Sequence, residues 1–359
     1  MPASQKTELQ KLQDIFLTQA VYCDELGSPF MVRLCRLFAQ QLKVNDPWAV
    51  PLLELPQGKN IWNIALPLRV AGALHALVLT KQCQRLEKVY PPHHDNHSDL
   101  ELWEACLHTM EAHADFVLPY LGIAPQTNEV RRCAVLLPGF LTIAKQTGLP
   151  FIMSELGASA GLNLCWDSFG YKLDNQTWGN LDSGVMMEPE WQGEAAPASV
   201  EITVDNRAGC DLSPIDSDNS EERLKLLSYL WADQHDRVTR TDNAMAILKD
   251  KNYCVDKADI SDWLPQRLGM KTHGFVHVIY HTIVWGYQEE QARLANQQKI
   301  ENAGLAATAE SPLAWLRLEP DGKEPGAAII LTLWPDGREC CLGRADYHGR
   351  WVNWYGWAG

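Results

Sequence analysis

The stretch Pro150 to Asp167 reads PFIMSELGASAGLNLCWD, and the fold turns on how it is parsed. The apolar run Phe151-Ile152-Met153 leads into Glu155. Small residues follow at Gly157, Ser159 and Gly161, and the apolar spacing then changes to Leu162, Cys165, Trp166 and Phe169. The pattern predicts a strand, a tight loop and a helix. Glycine tolerates positive φ and lets a ligand approach the backbone, and a helix beginning just after the loop directs unpaired N–H groups at whatever sits there. Two chemistries want this geometry. A nucleotide-type cofactor would be cradled by the small residues, whereas a G-x-S-x-G nucleophile elbow would present Ser159 as the attacking group.

Upstream, residues 1–148 read as helical. Leu9, Leu12, Phe16 and Ala20 form one apolar stripe, and Gly27-Ser28-Pro29 breaks it before Phe30, Leu34, Leu37 and Phe38 begin another. Further stripes run through Val70, Leu74 and Leu77, through Leu100, Trp103, Leu107 and Met110, and through Val130, Ala134, Leu137 and Leu141. In QTNEVRRC, Asn128, Glu129, Arg131 and Arg132 open the last of these helices, either as an N-cap with solvated charges or as polar groups in a cleft.

Downstream, strands and helices alternate. Tyr171 to Ser199, rich in Gly, Pro, Trp and acids, reads as an inserted loop or small hairpin, and Val200 to Val204 as a strand leading to GCDLSP. Asn219 caps a helix through Leu224, Leu227 and Trp231, and Tyr253-Cys254-Val255 is a short strand. Phe275 to Val284, FVHVIYHTIV, has the continuous apolar character of a strand covered on both faces. A polar helix from Gln288 to Ala303 separates it from a strand at Leu313 to Leu318. Ala327 to Trp334 and Arg338 to Ala345 then meet across Pro335-Asp336-Gly337 as a terminal β-hairpin. The expected architecture is α/β: a helical segment over 1–148 acting as a cap or substrate domain, then a Rossmann-like, mostly parallel sheet over 149–359. Ligands in such sheets bind beyond the carboxyl ends of the strands, where Gly157, Asp211, Asp259 and His281 should converge.

Composition narrows the partners. The 359 residues carry a net charge of −14, which argues against a non-specific grip on nucleic acid or anionic membranes and leaves a small-molecule substrate as the expected partner. The polar start MPASQKTELQ lacks the apolar core of a signal peptide and no apolar run approaches a membrane span, so a cytoplasmic location is expected. Ten cysteines without a C-x-x-C, the closest being Cys340-Cys341, read as reduced thiols, with no metal site. His93, His94 and His97 follow Pro91-Pro92 and read as a solvated loop.

The order of motifs from about residue 126 to 346 resembles a Rossmann-like S-adenosylmethionine-dependent methyltransferase. Glu155-Leu156-Gly157-Ala158-Ser159-Ala160-Gly161 is similar to that class's [DE]-x-G-x-G-x-G, with Ser159 in place of a glycine. GCDLSP resembles its G-x-D-x-S-P, which implies that Asp211 holds the ribose hydroxyls, and KADISDW implies Asp259 near the adenine. The resemblance thus implies S-adenosylmethionine as cofactor, bound by Glu155, Gly157, Ser159, Gly161, Asp211 and Asp259. YHTIVWGY resembles the segment flanking the acceptor, for which Glu129, His281, Tyr287 and His348 are the candidate contacts. Over nearly its whole length the chain also resembles an uncharacterised bacterial family, domain of unknown function 2332, through LGSPF, QTNEVRR, ELGASAGLN, GCDLSPID, HTIVWGY, PLAWLRLE and DYHGRW.

Each acid taken singly also reads as a cap, Asp211 of its own turn and Asp259 of the helix containing Trp263. A serine hydrolase would use Ser159 as nucleophile, His348 or His281 as base and Asp321 or Asp346 as orienting acid. Its fold needs strands before the elbow, where this chain offers helices. A third reading is a non-catalytic S-adenosylmethionine or nucleotide-binding protein.

Overall fold

β1 (Phe151–Leu156) is buried along its whole length, because it lies inside a nine-stranded sheet and is flanked on both sides by parallel neighbours. A computed structural model describes residues 7–43, 48, 52 and 65–357. Chain contacts divide it into two units, Met1–Thr127 with Asp218–Thr239, and Asn128–Ser217 with Arg240–Gly359. The division therefore falls at 127/128 rather than at 148.

The first unit is helical: α1 (Glu8–Glu25), α2 (Pro29–Gln41), α3 (Leu66–Leu79), α4 (Gln84–Val89), α5 (Asp99–Ala112) and α6 (Ala114–Leu121). Ser28 caps α2 by accepting the Met31 N–H, and Pro29 takes the first helical position, where a missing donor costs nothing. Phe16 stacks on Phe38 at 5.3 Å, and Trp103 meets Phe38 edge-on at 5.2 Å. The expected capped helix after Asn219 is α8 (Ser220–Ser228), whose first amides Asn219 accepts. It packs on α3, where Gly72 leaves room for the Tyr229 ring. The loop of His93, His94 and His97 is tied down, since Arg33 donates to the carbonyls of His94 (2.8 Å) and His97 (2.6 Å).

The second unit holds the sheet. Its strands are β1, β5 (Glu190–Gly193), β6 (Val204–Asp211), β7 (Val255–Lys257), β8 (Val276–Thr282), β9 (Leu313–Glu319), β10 (Ala327–Trp334), β11 (Arg338–Ala345) and β12 (Trp351–Trp354). They lie in the order β5-β12-β11-β10-β9-β8-β1-β6-β7. β7, β6, β1, β8 and β9 are mutually parallel, whereas β10, β11 and β12 continue the sheet antiparallel. The expected hairpin across Pro335-Asp336-Gly337 is thus β10–β11, extended by β12. α7 (Arg132–Thr147) belongs to this unit and packs on β9 and β10, with Gly139 accommodating Leu316. α10 (Ile260–Leu268) and α11 (Glu290–Leu305) share a core with Trp315, the alternate residue of β9, and so cover the opposite face.

Two local expectations are revised. The second parallel strand is Val204–Asp211, not Val200–Val204, so Asp211 ends the strand itself. Residues 171–199 contain the small hairpin, β2 (Gly170–Leu173) paired antiparallel with β3 (Gln176–Gly179), and go beyond it: β4 (Met186–Met187) makes it a three-stranded sheet, and β5 joins the main sheet edge. The polar segment before β7 is α9 (His235–Lys251), which apolar spacing did not reveal. Among the described residues, no helix is long and apolar enough to cross a membrane. All ten cysteines are free.

Candidate functional site

At the carboxyl end of β1 the chain leaves the sheet through Gly157 (φ 71°), Ser159 (φ 53°) and Gly161 (φ 80°). Glycine reaches this region without cost, whereas a serine there is uncommon. The expected helix after the loop is a single 3-10 segment, Leu162–Ser168. Five amides of this stretch are taken up within the protein. Gly157 and Ala158 both donate to the Cys210 carbonyl at 2.9 Å, Ser159 to Asp211 Oδ2 at 2.9 Å, Gly161 to the Ala158 carbonyl at 2.7 Å and Leu162 to Asn128 Oδ1 at 2.9 Å. A Cβ on Gly157 would collide with the Val284 methyls, and one on Gly161 with Val255, so these glycines are required by protein packing.

Glu155, the last acid of β1, is buried. Burial pushes its carboxyl up to about 8, with nearby Asp211 adding to the rise, against hydrogen bonds from Tyr280 and Asn163 and the charge of Arg132. Tyr280 Oη donates to Glu155 Oε2 at 3.3 Å, and Cys133 Sγ donates to Asn163 Oδ1 at 3.2 Å. Asn128 therefore does not cap α7; it holds the end of the ELGASAGLN loop. Glu129, also buried, accepts the Arg131 N–H at 3.1 Å and stands 3.9 Å from Arg240.

Asp211 links two strand ends. Its Oδ2 accepts Ser159 N–H and its Oδ1 accepts Ser213 N–H at 2.9 Å. Asp259 caps α10, accepting Ser261 N–H at 2.7 Å. The Ser159 hydroxyl oxygen is buried and, among the described residues, has no hydrogen-bond partner.

His281, next to last in β8, has both ring nitrogens committed. Trp315 Nε1–H reaches Nε2 at 3.0 Å, and Nδ1 lies 2.7 Å from Glu319 Oε1. The fold thus gives His281 no lone pair for a substrate. Tyr287, in the following turn, is 82% exposed. His348 lies in a turn organised by buried Asp346, whose carboxylate accepts the N–H groups of His348 (3.0 Å) and Arg350 (2.6 Å) and the Arg350 guanidinium (2.9 Å). Arg132 fastens that turn, donating to the Tyr347 carbonyl at 2.8 Å and reaching the Thr282 carbonyl at 3.5 Å. Asp321 is held by both arms of Arg344, at 2.9 and 3.0 Å. Among the described residues, no group of three or more His, Cys, Asp or Glu side chains is placed to hold a metal ion.

Glu155, Ser159 and Asp211 therefore form one cluster, and Asn128, Arg132, Asn163 and Tyr280 tie QTNEVRR, ELGASAGLN, HTIVWGY and DYHGRW around it. The sequence matches one family over residues 13–354, described as uncharacterized protein conserved in bacteria (DUF2332). The chain belongs to that family. No curated protein matches it. Glu319, the last residue of PLAWLRLE, is a further residue near this site that motif spacing does not mark. An acid ending a parallel strand was the available signal, as it was for Asp211.

Proposed function

We propose that the protein binds a cofactor of the S-adenosylmethionine class at the carboxyl ends of β1, β6 and β7 and transfers its methyl group to a small-molecule acceptor. One observation carries this reading. Numbered along the chain, the five parallel strands run 3-2-1-4-5, the order of doubly wound dinucleotide-binding sheets, and acids stand at or just past the carboxyl ends of the first three: Glu155, Asp211 and Asp259. The finer assignment, a Rossmann-like methyltransferase fold, is part of the proposal.

The residues fit through their side chains rather than their loop amides. A carboxylate has about four acceptor sites, so Asp211, which accepts the Ser159 and Ser213 amides, has the chemistry to accept from a ribose diol as well. Asp259 uses Oδ1 for its cap, and its Oδ2 is the atom assigned to an exocyclic amine. Glu155, neutral below about pH 8, would donate a hydrogen bond at the methionine end, and the buried Ser159 hydroxyl would find its partner there. The cofactor, when bound, supplies an electrophilic methyl group. Glu129, Tyr287 and His348 are the proposed acceptor contacts; His281 acts at one remove. Calorimetry with S-adenosylmethionine and S-adenosylhomocysteine tests the reading. Asp211→Ala should weaken binding by about 1–3 kcal/mol, and binding of neither compound to the wild type would overturn it.

A second reading, serine hydrolysis, draws on the positive φ and unpartnered oxygen of Ser159. Labelling of Ser159 by a serine-reactive phosphonate would support it, and absent labelling would count against it. A binding protein without turnover is separated from the first reading by methyl-transfer assays on a protein shown to bind.

A further inference from the structure

His281 and Glu319, both buried, and the half-buried start of the turn after β8 form one hydrogen-bonded unit outside the residues assigned to the cofactor. An indole N–H only donates, so Trp315 Nε1–H at 3.0 Å makes His281 Nε2 an acceptor. The imidazole proton is then on Nδ1 and is donated to Glu319 Oε1 at 2.7 Å. The same carboxylate oxygen accepts the N–H groups of Val284 (3.0 Å) and Trp285 (3.2 Å). Trp285 stacks on the His281 ring at 4.6 Å. Between the two lies Ile283 with φ 51°, a conformation that a β-branched residue holds only when its surroundings over-determine it. The Val284 methyls rest on Gly157, filling the space a Cβ would occupy.

We propose that Glu319 is a positioning residue: through His281 and the amides of Val284 and Trp285 it fixes the turn that forms the wall of the site over Gly157. The proposal rests on the cofactor reading for its effect on affinity, and on the hydrogen-bond geometry alone for its effect on the turn. Removing the carboxylate orphans three donors and releases the strained Ile283, so Val284 loses its seat on Gly157.

The test measures hydrogen exchange over residues 283–287 and S-adenosylhomocysteine affinity in the full chain. In Glu319→Ala, exchange in that peptide should accelerate at least about tenfold while β1 keeps its protection, and affinity should fall about tenfold or more. Glu319→Gln keeps an acceptor oxygen and should restore both to within about threefold of wild type. Glu319→Asp withdraws the oxygen by one methylene and should behave like Ala; it carries the test if the Ala variant does not fold. Unchanged exchange over 283–287 in both shortened variants overturns the proposal, as does a loosened turn with unaltered affinity. If wild type binds neither S-adenosylmethionine nor S-adenosylhomocysteine, the cofactor reading fails and exchange alone decides the role of Glu319.

Discussion

Glu155 should make the protein less stable as pH rises through neutrality, and Glu155→Gln should abolish that loss. Its carboxyl is held at about 8 in the folded state against an ordinary value of 4.5. Between these values the folded chain binds a proton that the unfolded chain has released. Stability from this group is therefore fully present below about pH 4.5 and lost progressively up to about pH 8, with no further change above. At about 1.4 kcal/mol per pH unit the whole window amounts to roughly 5 kcal/mol, an upper figure because relaxation and water entry soften the burial of a charge. Glutamine keeps the shape and remains neutral. Urea unfolding of both proteins between about pH 5 and 9 gives the difference, in which other titrating groups cancel. The variant should gain on wild type by several kcal/mol across that range. A difference independent of pH, or one that favours wild type increasingly toward alkaline pH, would refute the argument that burial dominates at Glu155.

Two substitutions probe the loop itself. Gly157→Ala places a methyl group against Val284 at a φ of 71° and should cost about 2–4 kcal/mol from strain and overpacking together; denaturant midpoints check this, and Val284→Ala in the same chain should recover part of it. Ser159→Ala removes a hydroxyl with no partner among the described residues, so stability should stay within about 0.5 kcal/mol of wild type; a loss above about 1.5 kcal/mol would mean that the oxygen makes a bond in the folded protein.

Elements with a strong local signal were legible. The apolar run of β8, the Ser28-Pro29 start of α2, the Asn219 cap and the Pro335-Asp336-Gly337 hairpin stand where their residues place them, because each is set by near neighbours in the chain. β6 carries no such signal, because VDNRAGCD has polar residues without alternation; it is a strand because β1 and β7 pair with it on either side. The 3-10 segment at Leu162 replaced the expected helix, its first amide being taken by Asn128 from 34 residues away.

The candidate site divides in the same way. The sequence by itself determined which acids and small residues end the parallel strands and in what order, since strand periodicity and turn chemistry are local. Only the tertiary structure decided what each group is free to do. Burial keeps Glu155 protonated at neutral pH, Trp315 and Glu319, 34 and 38 residues along from His281, occupy both of its nitrogens, and packing by Val284 and Val255 accounts for the loop glycines. Protonation state and hydrogen-bond capacity depend on neighbours distant in the chain, and no pattern of residue types along the chain encodes which of them arrive.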